Sequence, residues 1–310
     1  MIRELRKIDA PRVLELLKTQ FPEEESLLGT RPEGFAKVVR RVFRWDARLL
    51  VGVARLFGRP IYRFFVVEED DQLVATTLLS FPERAGYVSM VVVDPAYRRR
   101  GYAQALLEKA RATVRASGRQ FIALDVLAQN VPARTLYERM GYRLLRESSL
   151  VVRDSGPPPT VGPSTAVRPL RPSDARSLAE IARRGVPAEV QEVLPVRESA
   201  LRPSRMVERM LESERAAWVV DHGGGPLAYL SATSTPATEA GHFSEPIVGE
   251  GASTDEVAAL VGTGVRWCVA HGSPRIVAQV PASNLGGLAA LEGGGFHDAL
   301  AIRTLYRPVA

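Results

Sequence analysis

Cysteine is nearly absent from this 310-residue sequence, in which Cys268 is the only one. A lone thiol cannot form a disulfide within the chain, and it cannot build a cysteine cluster for zinc. We therefore expect no metal site, and we expect a reducing compartment, the cytoplasm. Cys268 itself is predicted to be a small buried hydrophobic residue next to Trp267.

Long apolar segments are missing as well. No run of 18 apolar residues could form a transmembrane segment, and the first residues lack the apolar core and cleavage pattern of an export signal. We therefore expect no transmembrane segment.

Charge is spread unevenly along the chain. Residues 1–153 contain 27 Lys and Arg against 18 Asp and Glu, whereas residues 154–310 contain 14 against 17. The positive excess of the first part predicts an anionic partner, either a polyphosphate cofactor or nucleic acid. Because the sequence has no aromatic stacking pattern and no nucleic-acid recognition motif, we favour the cofactor and expect no nucleic acid.

Proline and glycine concentrate at residues 154–164, DSGPPPTVGPS, which cannot form a helix or a central strand. The segments on either side begin alike, since IRELRKIDA from Ile2 resembles VRPLRPSDA from Val167. Each predicts a short strand, then an aspartate that caps a helix. We predict a semi-rigid linker at residues 154–164.

The two segments also end alike. DVLAQN from Asp125 matches QVPASN from Gln279, and Gly141 with Tyr142 matches Gly295 with Phe296. We therefore predict two copies of one fold, at residues 1–153 and 165–310. Such an internal duplication could replace a homodimer, so a monomer is plausible, although the sequence leaves the oligomeric state open.

Apolar periodicity, β-branched runs and turn residues predict the same order of elements in both copies. In the first copy we predict strands at 2–6, 62–68, 73–81, 87–93, 121–126 and 142–152, and helices after Asp9 and at 33–57, 102–117 and 131–140. In the second we predict strands at 217–221, 227–233, 242–248, 275–280 and 296–306, and helices at 173–184, 204–214, 254–271 and 285–292. The fold class is α/β (α+β), with two tandem domains that each have a mixed, mostly antiparallel central sheet flanked by helices.

The stretch VVVDPAYRRRGYAQALL, residues 91–107, has the most informative pattern. A β-branched strand ends at Asp94 and Pro95, three arginines and Gly101 follow, and an apolar-periodic helix begins. The first N–H groups of a helix have no intrahelical partner and carry partial positive charge, so this turn predicts a phosphate site. A merely basic turn before a helix is the alternative.

This turn resembles the pyrophosphate loop of the GNAT acyltransferase superfamily, Q/R-x-x-G-x-G/A, with Arg98, Gly101 and Ala103 at its positions. The resemblance implies acetyl-CoA as the cosubstrate. It implies that backbone groups of the preceding strand pair with the pantetheine arm and that loop residues hold the diphosphate. The cofactor-binding residues would be Val91, Val92, Val93, Arg98, Arg99, Arg100, Gly101, Tyr102, Ala103 and Gln104.

A second stretch, DVLAQNVPARTLYERMGYR at residues 125–143, resembles the motif N-x-x-A-x-x-L-Y-x-x-x-G-F/Y of the same family. The resemblance implies that Asn130 binds the pantetheine arm next to Ala133, and that Tyr137 protonates the leaving thiolate. A phenol suits that role because its reference pKa is near 10. Taken alone, Tyr137 could equally be a core tyrosine on an amphipathic helix.

The general base is less clear from the sequence. Several family members that modify protein amines have a carboxylate five residues before the motif asparagine, and here that residue is Asp125. It is shorter than the usual glutamate, and it could instead be a strand-end aspartate bonded to the backbone. Glu83 is a weaker candidate.

The second copy departs from the motifs where the chemistry would occur. Asn284 is retained, but Leu291 stands at the position of Tyr137 and Gln279 at that of Asp125. The turn at residues 248–256, VGEGASTDE, has carboxylates and no arginines, and these would repel a diphosphate. We expect this copy to be non-catalytic.

The acceptor is not named by the sequence. An apolar stripe with many arginines at residues 34–57 predicts a basic helix. The resemblance implies that this region covers the acceptor site, where it would favour an acidic acceptor or reach the phosphates of the cofactor. A solvated basic face or interfacial membrane binding is the alternative. We predict an N-acetyltransferase that acts on a primary amine, and the main alternative is an acyl-CoA-binding sensor or partner-binding module without turnover.

Overall fold

The structure is a computed structural model that describes residues 1–20, 62–82, 84–157, 159, 162, 164–202, 213–235 and 239–309. The predicted basic helix at 33–57 and the candidate base Glu83 lie outside the described residues. So does the predicted helix at 204–214, apart from Ser213 and Glu214.

The described elements of the first half follow the predicted order. Its helices and strands are β1 (Ile2–Glu4), α1 (Ala10–Gln20), β2 (Tyr62–Glu69), β3 (Gln72–Ser80), β4 (Ala85–Val93), α2 (Tyr102–Ala116), β5 (Phe121–Leu127), α3 (Val131–Arg139) and β6 (Arg143–Arg153).

The second half repeats this order with additions that the sequence did not predict. Its elements are β7 (Val167–Pro169), α4 (Asp174–Gly185), α5 (Ala188–Val193), α6 (Glu198–Leu201), β8 (Glu214–Asp221), β9 (Pro226–Ser234), β10 (Ala240–Phe243), β11 (Ile247–Val248), α7 (Thr254–Ala270), β12 (Arg275–Pro281), α8 (Leu285–Gly293) and β13 (His297–Pro308). The strand predicted at 242–248 is therefore two strands, β10 and β11, with a break between them.

All described strands join one sheet, in the order β1-β2-β3-β4-β5-β13-β6-β12-β10-β9-β8-β7, with β11 beside β9. The pairs β4–β5 and β10–β12 are parallel and the others are antiparallel, so the predicted fold class is confirmed. The last strand of each half has changed places. Strand β13 of the second half pairs with β5 of the first, and β6 of the first half pairs with β12 of the second.

The centre of the exchange is a local twofold relationship between β6 and β13. Ser148 pairs with Ile302, its counterpart at the repeat offset of 154, and Glu147 pairs with Arg303. The predicted limits of the two domains, 1–153 and 165–310, stay a prediction, since β13 completes the sheet of the first half.

Helices cover both faces of the first half's sheet. Because successive strand residues point to opposite faces, Phe65 and Val67 pack with the core of α2 and α3, whereas Val66 packs against α1. The second half adds to the α1 face, where Val190 and Val193 of α5 pack in one cluster with Ala85, Ala123 and Leu145 of the first half.

The aspartates predicted to cap the first helix of each half have another role. The guanidinium of Arg3 donates to both carboxylate oxygens of Asp9 at 2.6 and 2.9 Å, and the backbone N–H of Arg6 donates to Oδ2 at 2.6 Å. Arg168 binds Asp174 in the same way at 2.8 and 2.9 Å. In each half, a bidentate ion pair between the repeated arginine and aspartate therefore connects the first strand to the start of the first helix.

Within the part of the chain that the structure describes, no helix combines the length and the apolar composition needed to cross a lipid bilayer.

Candidate active site

A split between β4 and β5 forms the centre of the candidate site. The two strands pair in parallel from Ala85–Val88 against Phe121–Leu124, and the pairing stops there. Beyond that point β4 stays paired with β3 through a bulge, where Met90 has a φ of 55°. Strand β5 stays paired with β13 as far as Leu127. The gap therefore opens toward the carboxyl ends of both strands, and residues 91–93 lie on its β4 side.

The arginine loop lies at the open end of this split. Arg99 and Gly101 adopt left-handed backbone conformations, with φ of 64° and 84°, which turn successive N–H groups toward the inside of the loop. No side chain caps α2, and its first intrahelical bond is donated by Ala105. The N–H groups of Tyr102, Ala103 and Gln104 therefore point out of the helix toward any bound anion.

The loop is held in place by side chains from neighbouring strands and helices. Asp94 accepts a bond from the backbone N–H of Ala96 at 3.0 Å and forms an ion pair with Arg12 at 2.5 Å. Arg100 lies 4.9 Å above the ring of Tyr97 and 3.4 Å from a carboxylate oxygen of Glu69. The arginines at 98–100 are all exposed, so the loop presents positive charge to solvent as an anion site requires.

Tyr137 lies on α3, the helix that follows β5, and Asn130 is the residue immediately before that helix. Asn130 is exposed, and its side-chain carbonyl caps the helix by accepting from the N–H of Ala133 at 3.2 Å. Tyr137 is 6% exposed and packs in one cluster with Val91 and Val93 of the split and with Tyr102 of the loop. The fold thus brings together the donor-side residues that the sequence predicted.

The hydroxyl of Tyr137 has no hydrogen-bond partner among the described residues. Burial raises the pKa of Tyr137 to about 12, so the phenol keeps its proton at neutral pH. Its ring contacts that of Tyr142 with centroids 5.9 Å apart. A buried phenol with a free proton can donate to a thiolate that forms beside it.

Asp125 is the first residue of β5 beyond the paired region. Its neighbours Leu124 and Val126 point into the core with α2 and α3, so its side chain points to the other face. There Thr304 donates to Oδ1 at 2.7 Å and Gln279 donates to Oδ2 at 3.0 Å. Both donors belong to the second half of the chain.

Sequence reasoning missed these contacts. Gln279 was noted only as the counterpart of Asp125 in the second copy, and nothing in the sequence indicated that the two side chains meet. Tyr87 was also missed: burial, together with Asp125, raises the pKa of Tyr87 well above its ordinary value. The alternative that Asp125 bonds to the backbone is not what the structure shows, because its bonds are to side chains.

The equivalent cleft of the second half is filled by its own side chains. Asn284 caps α8 by accepting from Gly287 at 2.9 Å, as Asn130 does in α3, but its amide also donates to Glu245 and to the carbonyl of Pro246, both at 2.9 Å. Glu245 stands at the break between β10 and β11, so a carboxyl group takes the space that the split leaves open in the first half. Burial raises the pKa of Glu245.

The helix start of the second half is occupied too. Ser253 caps α7, and Glu256 reaches back to the Ser253 N–H at 3.0 Å, which completes a capping box. The carboxylate of Glu256 therefore lies at the N-terminus of α7, whereas no side chain caps the N-terminus of α2 in the first half. Leu291 is fully buried at the position of Tyr137.

Comparisons with known proteins agree with this geometry. Residues 11–142 match the model of the acetyltransferase (GNAT) family. A tandem GNAT protein from the clavulanic acid biosynthesis pathway is 17% identical, with 100% of this chain and 98% of that chain covered and a TM-score of 0.69. A GCN5-related N-acetyltransferase from Sphaerobacter thermophilus is 18% identical, with 100% and 95% covered and a TM-score of 0.65.

The solved structures are too distant in sequence to show more than the fold, which they share along both halves. The family match covers most of the first half. Residues 11–142 therefore belong to the acetyltransferase (GNAT) family, and both halves of the chain share the fold of these solved structures, one of which is a tandem GNAT protein.

Proposed function

We propose that the first half transfers an acetyl group from acetyl-CoA to a primary amine, and that the two substrates react directly in a ternary complex. The observation that carries this proposal is the split between β4 and β5, which has the arginine loop at its open end and Tyr137 in its wall. The cytoplasm, where acetyl-CoA is available, is the proposed compartment.

The donor would lie along the split. Peptide groups of Val91, Val92 and Val93 would bond the pantetheine arm as an added strand does, with the side-chain amide of Asn130 facing the arm next to Ala133. The diphosphate would lie on the N–H groups at the start of α2, supported by the arginines at 98–100 and by Gly101. Only glycine adopts the backbone conformation at position 101 without strain.

The chemistry needs one proton removed and one supplied. The amine nitrogen attacks the thioester carbon, the C–S bond breaks, and Tyr137 gives its proton to the sulfur as the thiolate leaves. Asp125 would attract the amine and accept its proton, directly or through water. Asp125 then releases its proton to solvent and the tyrosinate takes one up, so the enzyme is restored and the products are the amide and free coenzyme A.

The second half would bind no acyl-CoA. Glu245 fills its cleft, and Glu256 occupies the start of α7. Its role would be to complete the sheet through β13 and to hold Asp125 from the acceptor side.

Calorimetric titration with acetyl-CoA, followed by an amine screen that detects released thiol, tests this function. We expect Tyr137→Phe to lower kcat by about 10²- to 10⁴-fold, the usual contribution of a general acid, with the dissociation constant for acetyl-CoA unchanged. Tyr142→Phe is the matched control, because the Tyr142 hydroxyl is buried without a partner, and we expect it to keep wild-type turnover.

Two outcomes would contradict the proposal. If acetyl-CoA does not bind, the assignment of the donor site is wrong. If it binds but no amine releases thiol, the alternative function, an acyl-CoA sensor or partner-binding module, is favoured.

A further inference from the structure

A carboxylate and a guanidinium lie two strands apart on the sheet face opposite α2 and α3, the proposed acceptor face. Asp125, Thr304 and Arg146 occupy directly opposed positions on three neighbouring strands, β5, β13 and β6. The Thr304 hydroxyl donates to Asp125 at 2.7 Å and accepts from Nε of Arg146 at 3.5 Å. One hydroxyl therefore stands between the two charged groups, which make no ion pair with each other.

Neither Asp125 nor Arg146 forms an ion pair with a residue that the structure describes. Asp125 accepts hydrogen bonds from the neutral side chains of Thr304 and Gln279. Arg146 has its single hydrogen bond through Nε, so its two terminal amino groups have no bonding partner among the residues that the structure describes. Its strand neighbour Glu147 is paired instead with Arg303 at 3.0 Å.

The carboxyl group of Glu245 also interacts electrostatically with Arg146. It forms no ion pair with Arg146, and its hydrogen bond is to Asn284 at 2.9 Å. Burial raises the pKa of Glu245 despite the favourable influence of Arg146. Because Glu245 does not bond to it, the flat guanidinium of Arg146 can bind another anion through its two terminal amino groups.

Asp125 and Arg146 are separated by two strand spacings, about 10 Å between their backbones, and their side chains converge on Thr304. The protein therefore presents a negative and a positive side chain that are partly buried and do not contact each other. Such a pair is complementary to a ligand that has a positive and a negative group a few bonds apart. The amine must lie at Asp125, because that residue borders the split. An anion attached to it would then face the terminal amino groups of Arg146, which bind a carboxylate in a two-pronged manner.

We infer that the acceptor is a zwitterion, a free amino acid or a similar small molecule in which a carboxylate lies within a few bonds of the reacting amine. This inference rests on the proposed acetyl transfer. It selects among the acceptors that the sequence left open, since a simple polyamine or a lysine side chain within a protein offers no carboxylate to Arg146.

The test compares matched ligands on the full chain saturated with coenzyme A. The proteinogenic L-α-amino acids, β-alanine and 4-aminobutyrate are each paired with the corresponding carboxamide, and binding is measured by calorimetry. We expect at least one amino acid to bind roughly tenfold or more tightly than its carboxamide, since a hydrogen bond to a charged group contributes about 1.5–3 kcal/mol. Thiol release with acetyl-CoA should show the same preference in KM.

Arg146→Gln should abolish the preference for the carboxylate while acetyl-CoA binding stays at the wild-type value. Arg146→Lys keeps the charge without the planar fork, and it should restore part of the preference even if the glutamine variant folds poorly. Arg143→Gln is the matched control, because Arg143 is exposed on the same strand, and it should leave the preference intact.

Equal binding of amino acids and carboxamides, or a preference that survives Arg146→Gln, would overturn the inference. Failure of the whole panel to bind while other amines release thiol would also overturn it and leave the proposed acetyl transfer standing. Failure of acetyl-CoA itself to bind would refute the proposed function, and the same ligand pairs titrated into the chain without coenzyme A would then still report on Arg146.

Discussion

Removal of the two donors that hold Asp125 is the sharpest test of whether the second half takes part in catalysis. Thr304→Val replaces the hydroxyl with a methyl group of similar shape, and Gln279→Leu removes the amide. Both changes lie far along the sequence from Asp125, so a model in which the first half works alone predicts no effect on its reaction.

The expected magnitude follows from the burial of each donor. A hydrogen bond to a charged group contributes about 1.5–3 kcal/mol, and each 1.36 kcal/mol in the barrier is a tenfold change in rate. Thr304 is 0% exposed, so water cannot replace its hydroxyl, and we expect kcat/KM for the acceptor to fall by roughly 10- to 100-fold. Gln279 is partly exposed, so water can substitute and its effect should be nearer to tenfold.

The assay is thiol release at saturating acetyl-CoA with the acceptor that gives the fastest turnover. The loss should appear in the constants for the acceptor, while KM for acetyl-CoA and the melting temperature stay near wild type. Thr304→Ser should recover most of the activity because it keeps the hydroxyl. Ser148→Ala is the control, since Ser148 is equally buried on the central strands and its hydroxyl has no partner.

A wild-type kcat/KM for Thr304→Val and Gln279→Leu would refute the positioning of Asp125 by the second half. A loss that appears equally in the acetyl-CoA constants, or one that Thr304→Ser does not repair, would show that the substitutions act through folding instead.

Other consequences of the fold can be measured without an acceptor. A chain that ends at residue 164 lacks β13, the partner of β5, and should aggregate; a folded monomer of this fragment that binds acetyl-CoA would contradict the need for the strand exchange. Asp174→Asn removes an ion pair in which Asp174 is 5% exposed and should lower the free energy of unfolding at pH 7 by about 3 kcal/mol in denaturant titrations. Its bond from Arg168 holds the pKa of Asp174 below the usual value, so this stabilisation is complete above the unfolded-state pKa of about 3.9 and is lost as the pH falls through the lowered pKa. Wild type and variant should therefore converge in acid, and a constant difference down to pH 2 would contradict the ion pair. Burial raises the pKa of Cys268 to about 12, so a thiol reagent at pH 8 should modify the native protein only as fast as it unfolds, and rapid labelling would contradict the buried position.

The donor side could be predicted from the sequence because its signals are local. The strand, the turn at Asp94, Gly101 and the start of α2 follow one another within 17 residues, and each has a backbone preference that the sequence states directly. The structure gives these residues the conformations that a phosphate loop needs, including the left-handed turn at Gly101.

The exchange of β6 and β13 could not be predicted in this way. The alternation of side chains along β6 and β13 is the same whether each strand joins its own half of the sheet or the other half. The register that pairs Ser148 with Ile302 depends on contacts between residues 154 positions apart. The contacts of Asp125 with Gln279 and Thr304 follow from that exchange, so they were out of reach as well.

Two other features were misjudged for separate reasons. Asp9 and Asp174 were predicted as helix caps because aspartate before a helix usually is one, although the repeat had also preserved Arg3 and Arg168, which bind them. In the second half, the sequence predicted that carboxylates on the turn at 248–256 would repel a diphosphate. The structure adds Glu245, which comes into the cleft because the strand breaks between β10 and β11.

The central claim is that the chain has one donor site and that it lies in the first half. Calorimetric titration of the full chain with acetyl-CoA tests this most directly, alongside the double variant Arg99→Ala/Arg100→Ala. We predict one equivalent bound per chain and a loss of most of the affinity in the variant. Two equivalents per chain, or an unchanged affinity in the variant, would contradict the assignment of the site.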